Sequence, residues 1–269
     1  MECATDTAED ATKAWAALLA RRAGHGGSLP GHPLGALFGP VLAGGAGEDG
    51  CMVIGRLAQT LDGRIATSGG SSQWIGGRGD ILHTHRLRAL CDAVLVGAGT
   101  VEQDDPRLTT REVEGASPVR VVLDPRRRLP VSHRVFSDGG PPTLLACLEE
   151  HADGTHHGAA ELLPLPREGS GADLTALLRA LHGRGLSRLF VEGGGVTVSA
   201  FLAAGLLDRL HVTIAPVILG SGRAAFTLPE ATRIADGLRF EWTSYPLEGG
   251  DILLDIPLRR TRPRVCEGA

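Results

Sequence analysis

Three clusters in this 269-residue chain hold residue types at spacings that could do chemistry. The first is Asp104-Asp105-Pro106-Arg107-Leu108, followed by Arg111. Two carboxylates and two guanidinium groups this close can hold an anion or move a proton; they equally suit a solvated loop. The second is Glu192-Gly193-Gly194-Gly195 ahead of Val196, Thr197, Val198, Ser199 and Ala200. A glycine turn before a helix leaves N–H groups unpaired at the positive dipole end and removes side chains that would block a phosphate. Many GGG runs are plain turns, and this one is not the G-x-G-x-x-G of a dinucleotide fingerprint. The third is Asp80, Thr84 and Arg88, spaced by four on one polar helix face, where Arg88 alone reads as well as a solvated surface arginine.

The elements that must position these residues follow from pattern. Ala93–Val96 is a short β-branched apolar run, hence a buried strand, and Gly97 and Gly99 let the backbone turn beyond it while Thr100 can cap a helical turn. Ser187–Val191 predicts another strand, with Glu192 at its end. Further strands are expected over 51–58, 118–125, 142–147 and 207–217, and a C-terminal hairpin pairs RFEWTSYPL with DILLDIPL. Leu61-Asp62-Gly63 reads as a turn. Helices are expected over 9–23, 80–91 and 173–184, the last capped by Asp173. Residues 24–50 are rich in Gly, Pro and His and read as a linker or draped arm, with Leu37, Phe38, Val41 and Leu42 available to dock. Residues 149–171 read as loose. Trp74, inside a Gly/Ser-rich loop, is either a core plug or a pocket wall. The globular domain is expected over 51–258, after an N-terminal helix and arm (1–50) and before a basic, disordered tail (259–269).

Composition excludes several classes. The chain is 42% hydrophobic and 22% charged, enough to bury a large core, and its net charge of -4 without a basic stripe argues against nucleic acid. Lys13 is the only lysine, so nearly all positive charge is arginine. The five cysteines, Cys3, Cys51, Cys91, Cys147 and Cys266, are scattered without a CxxC pair, which suits a reduced, cytoplasmic chain. The acidic N-terminus is no secretory signal, and no apolar run approaches the roughly 18 residues that span a bilayer. No membrane partner is expected. His156 and His157 are adjacent but lack partners at metal-ligand spacing, so no metal is expected.

Taken together, LDGRIAT, SQWI, LRALCDAVLVGAGTV, DDPRLTTR, RVVLD, LFVEGGG and VTIAPVILGSGR, in this order, resemble the C-terminal reductase domain of the riboflavin biosynthesis protein RibD and its stand-alone relatives, over about Met52 to Ile256. The resemblance implies an α/β fold, a dihydrofolate-reductase-like mixed sheet flanked by helices. It implies NADPH-dependent reduction of 5-amino-6-(5-phosphoribosylamino)uracil: the ribosylamine opens to a C1′ imine, hydride reaches C1′, and the former ring oxygen takes a proton. The cofactor positions it implies are Ala58, Trp74, Thr100, Asp104 and Gly194 to Ala200. The substrate positions are Ser72, Arg88, Leu108, Arg111 and Glu192, with Arg88 and Arg111 on the 5-phosphate. Glu192 orients the substrate and helps proton transfer, with Asp104 as second candidate. The alternatives are the undeaminated 2,5-diamino-pyrimidinone, a related pyrimidine of a secondary pathway, or a silent nucleotide-binding protein. Pro125 stands where a hydroxyl residue often helps hold cofactor, and Arg126 to Arg128 are candidates for the 2′-phosphate. The H-x-E and P-C-x-x-C of the zinc deaminase are absent, so reduction without deamination is expected. A homodimer is expected by family analogy.

Overall fold

The computed structural model describes residues 8–25, 27–28, 31–45, 47–73 and 75–260. Its strands are β1 Met52–Thr60, β2 Arg64–Thr67, β3 Ala93–Gly97, β4 Val119–Leu123, β5 Thr143–Leu148, β6 His156–His157, β7 Ala160–Leu165, β8 Arg167–Glu168, β9 Gly171–Ala172, β10 Arg188–Glu192, β11 Arg209–Ala215, β12 Gly222–Ala224, β13 Thr243–Pro246 and β14 Ile252–Pro257. The helices are α1 Ala8–Arg22, α2 Pro33–Phe38, α3 Arg78–Leu90, α4 Ala98–Asp104, α5 Arg134–Ser137, α6 Leu174–His182 and α7 Gly195–Ala203.

Ten strands form one sheet in the order β13-β14-β11-β1-β10-β3-β4-β5-β7-β6. The strands from β11 to β7 run parallel, and antiparallel pairs close both margins. Parallel strands are covered on both faces, which is why Ala93–Val96 and Leu189–Val191 are continuous apolar runs with no exposed surface. Side chains alternate between two cores. Ile54, Val94, Val96 and Phe190 face α1, α2, α3 and α5. Val53, Ala93, Leu95, Leu189 and Val191 face α6 and α7.

α1, α2 and the turn at 39–42 pack into the first of these cores. Trp15 and Phe38 meet edge-on at 6.2 Å, Phe38 stacks on His83 of α3 at 5.3 Å, and Trp15 donates its indole N–H to Glu114 O. Leu37, Phe38 and Val41 are buried, so the segment read as a draped arm is two short helical pieces that brace α3 from behind.

Four expectations need correction. Residues 149–171 are not loose, because β7 lies within them, parallel to β5. The C-terminal hairpin pairs only Thr243–Pro246 with Ile252–Asp255, and residues 239–242 lie outside any strand. Thr100 does not cap α4; the cap is Gly97, without a side-chain bond. Arg260 does not belong to a loose tail: its guanidinium, 6% exposed, bonds the carboxylates of Asp49 and Asp208 and the carbonyl of Cys51. Residues 261–269 lie outside the described residues.

Candidate active site

A cleft of about 1120 Å³ opens outside the carboxyl ends of β1, β3 and β10. Ligands of open α/β sheets bind at such strand ends. One wall is a face of α3: Asp80, Ile81, Thr84, His85 and Arg88 all reach it. The opposite wall is the turn Gly193-Gly194 and the start of α7. The floor comes from Leu57 and Ala58 of β1, Gly97 to Thr100 and Glu192.

The charged centre is a two-pronged ion pair. Arg88 donates from Nε to Glu192 Oε2 at 2.8 Å and from Nη2 to Oε1 at 2.5 Å, while Nη1 donates to Thr109 O at 2.9 Å. Arg88 is 7% exposed, so it is no solvated surface arginine. Burial would raise the pKa of Glu192, but the charge and hydrogen bonds of Arg88, with Arg56 beyond, hold it below the usual carboxylate value. Glu192 is therefore a carboxylate, suited to accepting hydrogen bonds and unsuited to giving a proton. Arg56, across the parallel register from Glu192, forms a second ion pair, with Asp80 at the first turn of α3.

The Asp-Asp-Pro loop sorts its two acids. Asp104 ends α4 on the cleft side, where Oδ1 accepts a long 3.4 Å bond from Ser72 Oγ. Asp105, at φ 40°, turns away and accepts the Arg134 N–H at 2.8 Å. Leu108 has φ 56°, a left-handed backbone that a branched side chain rarely adopts. Its side chain is buried in the core and Leu108 is not among the residues that line the cleft, so the structure does not bring this expected substrate position to the site. Arg111 exposes its side chain, with Nη1 on Thr109 Oγ1 at 2.7 Å, and its backbone N–H donates to His85 Nδ1 at 3.0 Å.

Of the expected positions, Ala58, Ser72, Arg88, Thr100, Asp104, Arg111, Glu192, Gly194, Gly195, Val196, Thr197 and Ala200 line one cleft. Leu108 does not line it, and neither do Val198 and Ser199 of α7: Val198 is core, and Ser199 Oγ accepts the Thr227 N–H at 2.8 Å. Helical spacing explains this, since positions 196, 197 and 200 share a face that 198 and 199 leave. Trp74 lies outside the described residues. Sequence reading missed His85, Arg56 and Arg223 as wall residues. The spacing Ile81, Thr84, His85, Arg88 was a helix-face pattern that would have found the first.

The sequence model of the family described as "RibD C-terminal domain" matches residues 52–252. The chain belongs to that family. RibD-family relatives include the 2,5-diamino-6-ribosylamino-4(3H)-pyrimidinone 5′-phosphate reductase of Methanothermobacter thermautotrophicus, 40% identical over 224 residues, covering 77% of this chain and 98% of that protein. The riboflavin biosynthesis protein RibD of Aquifex aeolicus is 40% identical over 170 residues, covering 62% of this chain but 47% of its own length. Among solved structures, the bifunctional deaminase and 5-amino-6-(5-phosphoribosylamino)uracil reductase of Thermotoga maritima superposes at TM-score 0.67 with 29% identity, over 78% of this chain and 57% of that one. The riboflavin biosynthesis reductase Rib7 of Saccharomyces cerevisiae, at TM-score 0.65 and 21% identity over 85% of this chain and all of that one, shares the fold. The RibD-type, dihydrofolate-reductase-like architecture is thus that of this chain.

The cleft fits a pyridine dinucleotide. α7 has nine residues, its cap Gly194 makes no side-chain bond, and no acid occupies its first turn. The N–H groups of Gly195 and Val196 have no partner among the described residues. A Cβ at Gly99 would project into open space within the cleft, with no atom inside 4 Å. Unpaired donors in the same cleft as the open space at Gly99 suit a diphosphate.

Proposed function

We propose that this chain is the NADPH-dependent reductase of riboflavin biosynthesis that converts 5-amino-6-(5-phosphoribosylamino)uracil to its ribitylamino product. The observation that carries this is one cleft in which the bare start of α7 faces the Arg88–Glu192 pair and Arg111. NADPH supplies the hydride that reduces C1′ of the opened sugar. Gly194, Gly195 and the first N–H groups of α7 hold its diphosphate, and Ala58, Thr100 and Pro125 border the dinucleotide. Glu192, kept ionised by Arg88, accepts hydrogen bonds from the sugar and fixes C1′ for attack. Asp104, with the Ser72 hydroxyl, is the candidate for guiding a proton to the former ring oxygen.

Preference for NADPH over NADH is assigned to Arg126 and Arg128, which are exposed after β4. Arg127 is committed elsewhere, donating to the carbonyls of His151, Asp153 and His156. A second reading, reduction of the 2,5-diamino-pyrimidinone phosphate, is favoured by the 98% overlap with the archaeal reductase of that name. NADPH oxidation with both pyrimidines in parallel separates the two; silence with both defeats the proposal.

A cytoplasmic homodimer completes the reading. Cys51, Cys91 and Cys147 are buried free thiols, as in a reducing compartment, and no helix among the described residues is long and apolar enough to cross a membrane. Ile234 (89% exposed), Leu238 and Trp242, which precede the marginal strand β13 in the chain, and Ile252 of β14 are exposed apolar side chains, and the proposed second copy covers them.

A further inference from the structure

The cleft-facing histidine of α3 has a fixed tautomer. His85 Nδ1 accepts the backbone N–H of Arg111 at 3.0 Å, so the ring proton sits on Nε2. Protonating Nδ1 would set two donors against each other and break that bond. Nε2 has no partner among the described residues and is not sealed off, although the residue is only 3% exposed. The imidazole is part of the cleft wall, and with Nδ1 held by Arg111 its one open N–H is on Nε2.

The electrostatics of this corner are cationic. Burial, together with the charges of Arg88 and Arg111, which outweigh those of Glu192 and Glu112, lowers the pKa of His85 to about 4. The ring is a neutral donor at ordinary pH, set between two guanidinium groups. Arg88 has most of its fork committed to Glu192 and to Thr109 O. The Arg111 guanidinium is exposed and, among the described residues, bonds only Thr109 of its own loop. At this corner of the cleft the donors open to an incoming anion are therefore those of Arg111 and the His85 Nε2–H, joined through the Arg111 backbone.

We propose that His85 is a substrate-binding residue whose Nε2–H donates to an oxygen of the substrate's 5-phosphate beside Arg111. This rests on the reading of the substrate as a phosphoribosylated pyrimidine. The bond to Arg111 makes the two donors one unit: the ring cannot turn without releasing the backbone that carries the guanidinium.

The test uses the full chain with ribose 5-phosphate and ribose as probes, followed by calorimetric titration. The wild type binds ribose 5-phosphate more tightly than ribose. His85→Phe, which keeps the ring and loses the donor, weakens ribose 5-phosphate by roughly 10- to 100-fold, the worth of a hydrogen bond to a charged group, and leaves ribose unchanged. His85→Gln, whose amide N–H reaches a similar position, restores part of the loss. With the pyrimidine substrate, KM rises and kcat stays within about threefold. Ribose 5-phosphate binding that is unchanged in His85→Phe, or lost in step with ribose, overturns the assignment. Where a variant fails to fold, the ¹⁵N resonance of His85 Nε2 in the wild type decides: saturating ribose 5-phosphate must shift it, and an unmoved resonance overturns the assignment. Loss of phosphate discrimination without turnover of any pyrimidine would sink the function and leave His85 standing. Turnover with unchanged KM in His85→Phe would do the reverse.

Discussion

Replacing Arg88 by methionine removes a buried cation and keeps much of the stem's volume. Glu192, with a side chain 16% exposed, would be left as a carboxylate with no hydrogen-bonded cation and only the more distant charges of Arg56 and Arg111 to balance it. Removing one partner of a buried ion pair costs about 3–5 kcal/mol, and residual access to the cleft puts this case near the lower end, about 3 kcal/mol. For a chain of this size each kcal/mol is worth about 2–4 °C, so Tm should fall by about 6–12 °C at neutral pH. The pH dependence fixes the cause. In the wild type the pKa of Glu192 is depressed, so the pair's contribution is present above the unfolded carboxylate value and is lost as pH falls through the folded one. In the variant burial prevails, the pKa rises, and the carboxyl is protonated on mild acidification, which relieves the cost. The gap in Tm between the two proteins should narrow steadily from pH 7 towards pH 4 in scanning calorimetry. A deficit below about 1 kcal/mol, or one constant across that range, would refute the coupling of Arg88 and Glu192 on which the site description depends.

Three further outcomes follow. Glu192→Gln should lower kcat/KM for the pyrimidine at least about tenfold without moving the pH profile, because an ionised Glu192 orients and does not donate; a lost or displaced limb of the profile would assign it the proton. Gly99→Leu fills open space on the cleft floor, so NADPH affinity measured by nucleotide fluorescence should weaken at least about tenfold, or about 1.4 kcal/mol, with Tm little changed; unaltered affinity would remove this floor from the cofactor site. Arg260→Ala strips the carboxylates of Asp49 and Asp208 of their shared cation and should cost about 3 kcal/mol in urea unfolding, whereas a loss below about 0.5 kcal/mol would return Arg260 to a loose tail.

What was legible in the sequence was whatever the parallel sheet imposes locally. Ala93–Val96 and Leu189–Val191 read as buried strands because both faces are covered, and the glycines after each marked the strand ends that became the cleft floor. β7 was hidden because Pro164 and Pro166 lower its strand propensity; Pro164 is tolerated opposite Cys147 of β5 only because tertiary pairing overrides that preference. The bracing segment was masked by its Gly, Pro and His content, although Leu34, Leu37, Phe38 and Val41 keep helical spacing. In the site, the resemblance supplied a continuous stretch from Gly194 to Ala200, and helical periodicity withdrew Val198 and Ser199 from it. The two-pronged bond between Arg88 and Glu192 joins residues 104 positions apart, which no local pattern can reveal.

The most direct test of the central claim is the fate of the hydride. NADPH carrying deuterium at the reactive C4 position is incubated with the full chain and 5-amino-6-(5-phosphoribosylamino)uracil, and the product is read by mass spectrometry and proton NMR. The proposed reduction places one deuterium at C1′ of a ribitylamino product. Cofactor oxidation without label at C1′, or binding of both ligands with no turnover of this pyrimidine or its 2-amino precursor, would contradict it.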